Sequence, residues 1–420
     1  MFSSYRSLFV AFLFVLISQT SFKSTAQEKK EEKPDWVQFH GFINYELMYD
    51  TRLNQVSRDG EVFYYPKPFE GDKNGVDKNA HGKLHMFTFH TRLRAEIKEF
   101  DVKKMKASGL IEGDFIGAND AASNVIRLRL AYIKLTSAKF EFLAGQYWHP
   151  MFVTDCFPDV ISWGAAAPIH VLNRSPQLRV TYFPSKKISL MVSILSQRDL
   201  TNSGPVGNST EYLKNSQIPE MQFQFMFRPT TKLVAGFTAG YKVIVPRLVT
   251  DSGYVCNESL ASYNFNVFTR YKGDKFDFKL EAIYGQNQNN LLLLGGYAVK
   301  QITDIQTNTK EYTNINVGSI WTDICYKIKD IRIGAFAGLS KGFGTNTIIN
   351  QITEVYGLGT NIKYMYNISP RIVYSPNRMK FAFELNSTTA SFGAYDNYLN
   401  VVNDKKQVNY RYLFSVSLNF

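Results

Sequence analysis

Positively charged side chains recur two residues apart in this chain, and that spacing is its first chemical signal. Arg92 and Arg94 form one such pair and Arg127 and Arg129 another, with Lys106 between the pairs and Arg174 and Arg179 beyond them. A guanidinium grips a carboxylate or phosphate through two parallel hydrogen bonds. A row of them on one surface would concentrate small anions. Glu96, Glu112 and Asp114 fall in the same stretch. The arginines therefore either form an anion-attracting wall or pair with these acids and stiffen whatever carries them.

Residues two apart share a face on an extended strand. Arg127-Leu128-Arg129-Leu130 has that alternation, and it recurs in Val37–Leu47, Met221–Phe227 and Phe276–Ala282. No helical period competes with it after Pro34. Tight turns are expected near 100–102, 136–139, 184–187, 228–231, 272–275, 329–330 and 375–378. Longer polar loops alternate with them, at 51–80, 118–123, 148–176, 200–218, 248–257, 289–311, 344–355 and 394–407. Together these connections imply about sixteen antiparallel strands. Short turns on one side and long loops on the other match a transmembrane β-barrel, which must close because lipid offers no partner to an open strand edge. The expected fold is thus all-β: a transmembrane antiparallel barrel over residues 36–420, wide enough to hold a water-filled lumen.

This reading accounts for an odd composition. The chain has 420 residues with 33 Phe, 25 Tyr and 4 Trp, yet its mean hydropathy is −0.21. A lipid face and a water face cancel in that average. Tyr45, Tyr49, Tyr132, Tyr182, Tyr241, Tyr271, Tyr326 and Tyr412 are expected in the interfacial girdles. Parity sends Phe87, Phe89, Leu93, Ile126, Leu128, Leu130 and Tyr132 to lipid. It sends His90, Arg92, Arg94, Glu96, Lys106, Glu112, Asp114, Arg127, Arg129, Arg179, Lys242, Arg270 and Lys279 to the lumen. An Arg or Lys facing lipid at mid-membrane would cost about 2–4 kcal/mol.

The loop WHPMFVTDCFPDVISWGAAAPIHVLNRSP, residues 148–176, is too apolar for an external loop in water. Folded into the barrel, it would pack Trp148, Phe152, Phe157 and Trp163 on the wall and narrow the channel. Asp155, Asp159, His170 and Arg174 would then face the constriction. An external loop at a subunit interface is the other reading.

Arg127–Tyr132, Leu143-Ala144-Gly145-Gln146-Tyr147-Trp148, the apolar loop and Arg179-Val180-Thr181-Tyr182 together resemble the DcaP-like trimeric porins of Gram-negative outer membranes. More loosely they are similar to the phosphate-selective porins. The resemblance covers residues 80–185 and the last strand. It implies a sixteen-stranded homotrimer whose third loop constricts each pore, passing small anionic solutes such as dicarboxylates without catalysis. It also supports Arg127, Arg129 and Arg179 near that constriction. Members can carry a long N-terminal coiled coil, whereas only residues 27–35 are expected between the leader and the first strand here.

Residues 1–26 read as a secretory signal peptide. Arg6 is followed by the apolar run Leu8–Ile17 and by Ser24-Thr25-Ala26, a small-residue cleavage site. The segment 27–35 is short and charged. Export to the outer membrane would bring lipid and lipopolysaccharide as partners. The terminal aromatic Phe420, on an alternating last strand, resembles the signal read by the barrel-assembly machinery. The net charge of +12 does not argue for nucleic acid, because the charges alternate with apolar residues instead of forming a patch. No cofactor is implied, and the six His show no metal-ligand spacing, His81 and His85 with Asp77 being the nearest approach. Cys156 and Cys256 both fall in long loops, which leaves a disulfide open. A barrel enzyme would need a set such as His149, Asp155 and Ser162, and an adhesin or structural barrel would need a plugged lumen.

Overall fold

Strands with one apolar and one polar face gain little singly and must close on one another in lipid. A computed structural model, which describes residues 36–420, shows that closure. The expected signal peptide and charged segment lie outside the described residues. Sixteen antiparallel strands form the barrel. They are β1 (Val37–Asp50), β2 (in two pieces, Lys83–Phe87 and Arg92–Val102), β3 (Met105–Asp114), β4 (Arg127–Thr136), β5 (Phe140–Trp148), β6 (Arg174–Ser185), β7 (Ile188–Leu195) and β8 (Glu220–Phe227). The second half comprises β9 (Leu233–Ile244), β10 (Leu260–Lys272), β11 (Phe276–Gln286), β12 (Thr309–Ile328), β13 (Ile331–Thr345), β14 (Ile362–Tyr374), β15 (Met379–Tyr395) and β16 (Val401–Asn419).

β1 closes the ring, pairing Tyr45 with Val416 of β16 on one side and His40 with Arg94 of β2 on the other. Phe420 completes this seam: its N–H donates to the Gly41 carbonyl at 3.0 Å and its carbonyl accepts from the Gly41 N–H at 3.1 Å. Its ring lies over Gly41, where a Cβ would stand 2.6 Å from Cζ. Ile111, Ile126, Leu128, Ile133, Val192, Ile324 and Leu418 are exposed on the outside, while Glu112, Asp114, Ser193, Asp323 and Ser417 are buried inside. An apolar belt around a polar interior marks a membrane-spanning barrel.

Connections on one rim are short and those on the other long, as the punctuation implies. The long stretches contain more pairing than expected. Gly295–Asp304 pairs with the start of β12 and with Val355–Leu358, and β15 and β16 stay paired up to Tyr395 and Val401. Polar residues such as Asn403, Asp404 and Lys405 hide these extensions. Beyond the membrane no face needs to be apolar, so no alternation remains to be read.

Two irregularities re-aim side chains and correct the parity. A turn at 88–91, closed by the Thr91 N–H on the Thr88 carbonyl at 3.1 Å, breaks β2. Phe87 and Phe89 consequently face inward, not toward lipid. Their rings are 4.5 Å apart and pack with Met48, Ile116 and Ile161. In β4, Glu112 of β3 is opposite Leu130 and Gly113 is opposite Leu128, which leaves Arg129 as the extra residue of a β-bulge. Arg127 points inward before it, Arg129 points inward at it and Leu130 is buried after it, while Tyr132 and Lys134 line an internal cavity and Ile133 takes the outer face. Tyr132 is therefore not a girdle residue. Gly145, facing Tyr132 across the strand pair, has φ +134° and leaves room for the kink; a Cβ there would be 2.2 Å from the Ala131 carbonyl. Gly145→Ala is expected to destabilise the barrel by about 1–3 kcal/mol, read as a lower urea midpoint for the detergent-folded protein.

Candidate functional site

Apolar residues in a loop need an apolar surface. The inward side chains Met226, Phe268, Trp321 and Phe336 supply one, packed against Val153, Cys156 and Ile169 of the third long loop. The loop leaves β5 and follows the inner wall. His149 Nε2 lies 2.9 Å from Glu220 Oε1 of β8, and the Cys156 thiol donates to the Thr269 carbonyl of β10 at 3.4 Å. Lys279 Nζ of β11 donates to Asp159 at 2.6 Å, and the Ile161 N–H donates to Glu384 of β15 at 2.7 Å. Glu281 of β11 accepts from three sides, with His170 Nδ1 at 2.8 Å, Trp321 Nε1 at 2.8 Å and Asn266 Nδ2 at 2.6 Å. The loop thus lies inside the lumen.

Its tip reaches the opposite wall. The Trp163 ring lies 5.1 Å from the guanidinium carbon of Arg127, 5.9 Å from Arg58, and 6.0 Å from both Arg129 and Arg174. Cations at these distances are attracted to the face of an indole. Trp148 stacks on Phe152 with centroids 3.9 Å apart and holds Arg174 at 4.9 Å.

The arginines themselves are paired. Arg127 Nε donates to Asp114 at 2.7 Å, and Arg129 bonds Glu112 and Asp114, each at 2.8 Å. Arg94 Nη2 reaches Glu112 at 2.7 Å, and Arg92 Nε lies 3.8 Å from it. Arg174 donates to Asp199 at 2.5 Å, with Arg127 and Arg58 at 3.4 and 4.0 Å from the same carboxylate. Six guanidiniums, those of Arg58, Arg92, Arg94, Arg127, Arg129 and Arg174, share four carboxylates, Glu96, Glu112, Asp114 and Asp199. Both sequence readings therefore have content: the arginines are braced by acids, and positive charge remains in excess. Burial would raise the Asp199 carboxyl, but Arg174, Arg127 and Arg58 hold it below the ordinary range. Burial and the neighbouring Arg127 bring Arg58 down to about 10, so it stays charged at neutral pH.

Arg58 and Asp199 were not among the expected site residues. They come from the first and fourth long loops, where no parity applies. Arg58 also donates to the Gly117 carbonyl. The other expected residues are dispersed. Arg179 bonds Gln177 Oε1 and the Trp148 carbonyl, and lines a cavity of about 260 Å³ with Tyr132, Tyr147, Asp155 and Arg228. Asp155 pairs with Arg228 at 2.7 Å, Glu96 with Arg94 at 3.1 Å, and Lys106 approaches Glu99 at 3.9 Å near the short-turn rim. His170 is fully buried against Glu281 and Trp321 and does not face open water. The His149 ring and the Asp155 carboxylate go to different partners, Glu220 and Arg228, and the Ser162 backbone N–H donates to Glu384. Cys156 and Cys256 are free thiols, Cys156 lying inside the barrel instead of in an external loop. Asp77 is held by Arg52 at 2.7 Å, and His85 is buried near Asp50.

No family model and no curated relative matches the sequence. Solved structures do match the fold. The outer membrane channel DcaP of Acinetobacter baumannii superposes with a TM-score of 0.68 at 16% identity, over 91% of this chain and 97% of that one. OmpT of Vibrio cholerae gives 0.54 at 10% identity, over 92% and 99%. The anion-selective porin from Comamonas acidovorans gives 0.54 at 8% identity, over 91% and 99%. The fold is that of the outer-membrane porins.

Proposed function

We propose that this chain is a passive outer-membrane porin of a Gram-negative bacterium, biased toward small anionic solutes of the dicarboxylate class. The observation that carries the reading is the excess of guanidinium over carboxylate where the tip of the third loop narrows the lumen. A fixed positive field at a constriction raises the local concentration of anions. Partial pairing keeps the arginines in place without cancelling that field. The trimer form of OmpT and the DcaP fold support a homotrimer. The apolar belt implies contact with lipid and lipopolysaccharide, and Phe420 at the seam fits delivery by the barrel-assembly machinery. We propose no catalysis, since the His149 ring and the Asp155 carboxylate are each committed to a different wall residue, Glu220 and Arg228.

Purified protein in planar bilayers is expected to give steady ohmic channels. A folded barrel that never conducts would support the plugged, adhesin-like reading instead. Trp163→Ala is expected to raise single-channel conductance and to weaken docking of the loop tip by about 1–2 kcal/mol. Unchanged conductance would place the narrowest point elsewhere.

A further inference from the structure

Three ligand atoms converge inside the barrel beside the loop tip. Glu46 comes from β1, Glu61 from the first long loop and His90 from the turn that breaks β2. One carboxylate oxygen from each glutamate and a ring nitrogen of His90 all lie within 4.8 Å of one another. His90 Nδ1 is 3.4 Å from Glu46 Oε1 and 3.9 Å from Glu61 Oε1. Both glutamates are 1% exposed, and the Oε2 atom of each is buried without a hydrogen-bond partner. Buried carboxylate oxygens in this state are costly unless paired or coordinated.

No arginine or lysine among the described residues forms an ion pair with either glutamate, although Lys380 of β15 lies within electrostatic reach of Glu46. Arg411, the nearby cation on β16, is held by Asp50 through bonds of 2.9 and 2.8 Å and donates to the Gly60 carbonyl at 3.2 Å. Asn44 accepts from Ser415 and Ser417 through Oδ1, which turns its NH₂ toward His90 Nδ1 at 3.5 Å. His90 Nδ1 thus sits between an acceptor, Glu46 Oε1 at 3.4 Å, and a donor, the Asn44 amide, so the ring can hold a proton there or offer a lone pair to a bound ion.

We propose that Glu46, Glu61 and His90 bind a divalent transition-metal ion of the kind that accepts mixed nitrogen and oxygen ligands, such as Zn²⁺ or Mn²⁺. The ion ties the first long loop to the wall. It also neutralises two carboxylates beside the constriction, because the His90 ring meets Trp163 edge-on with centroids 6.2 Å apart. The site therefore modulates anion passage as well as bracing the loop.

The test is calorimetric titration of the EDTA-stripped, full-length, detergent-folded barrel with ZnCl₂ and, separately, MnCl₂. One tight ion per chain is expected for at least one metal. Affinity for that metal should fall at least about tenfold in both Glu61→Gln and His90→Ala, each first shown to be folded by its heat-modifiable gel mobility. A His40→Ala, His81→Ala variant, which removes two histidines outside the cluster, is expected to keep the tight site. Absence of stoichiometric binding of either metal to the wild type would overturn the proposal and assign a shared proton to the two carboxylates. Undiminished binding in both folded variants would overturn it equally. The readout does not require conduction, so its failure is distinct from failure of the porin reading.

Discussion

Asp114→Asn is expected to lower the stability of the folded barrel by about 3–5 kcal/mol, the cost of breaking a buried ion pair from one side. Asp114 is fully buried and accepts from Arg127 at 2.7 Å and from Arg129 at 2.8 Å. Asparagine keeps one acceptor oxygen, so one guanidinium retains a weaker, neutral bond; for charge, Arg127 is left with the 3.4 Å approach to Asp199 and Arg129 with Glu112. The two guanidiniums then repel each other in a site that water does not reach freely. The urea midpoint of the detergent-folded barrel should fall, and the surviving channels should become more anion-selective because a negative charge has gone. A stable variant with unchanged selectivity would show that the cluster neither braces the wall nor sets the field.

Glu281→Ala is expected to release the third loop. The substitution strands the donors of His170, Trp321 and Asn266, which now lie at 2.8, 2.8 and 2.6 Å from the carboxylate. Each buried donor left unmet costs about 1–3 kcal/mol, and because the three share one site their costs should not simply add. The constriction should then fluctuate, giving higher and noisier single-channel conductance. A quiet, unaltered channel would mean that the loop is held by its apolar packing and by its other wall bonds, those of His149, Asp155, Cys156, Asp159 and Ile161.

The architecture was legible because a barrel in lipid obeys a strict period of two and sorts its connections by length. Arg92, Arg94, Arg127 and Arg129 could be placed in the lumen by counting. The count failed where a local device shifted it: the turn at 88–91 sent Phe87 and Phe89 inward, and the bulge at Arg129 did the same for Leu130 and Tyr132. A bulge leaves no fixed mark in composition, and only Gly145 across the strand hinted at it. The apolar loop revealed its inward fold because water would not tolerate it outside. Its partners stayed hidden, since nothing in the spacing of Glu220, Glu281 and Glu384 marks them as anchors for a loop. Arg58, Asp199 and Glu61 reach the interior from polar loops, where charge is unremarkable and spacing says nothing. The ligands Glu46, Glu61 and His90 are far apart along the chain and meet only in the closed barrel.

The reversal potential of the wild-type channel across a KCl gradient tests the central claim most directly. An excess of guanidinium at the constriction predicts a potential displaced toward the chloride equilibrium value, with a further shift when small dicarboxylates replace chloride on one side. A potential displaced toward the potassium equilibrium value would contradict the account.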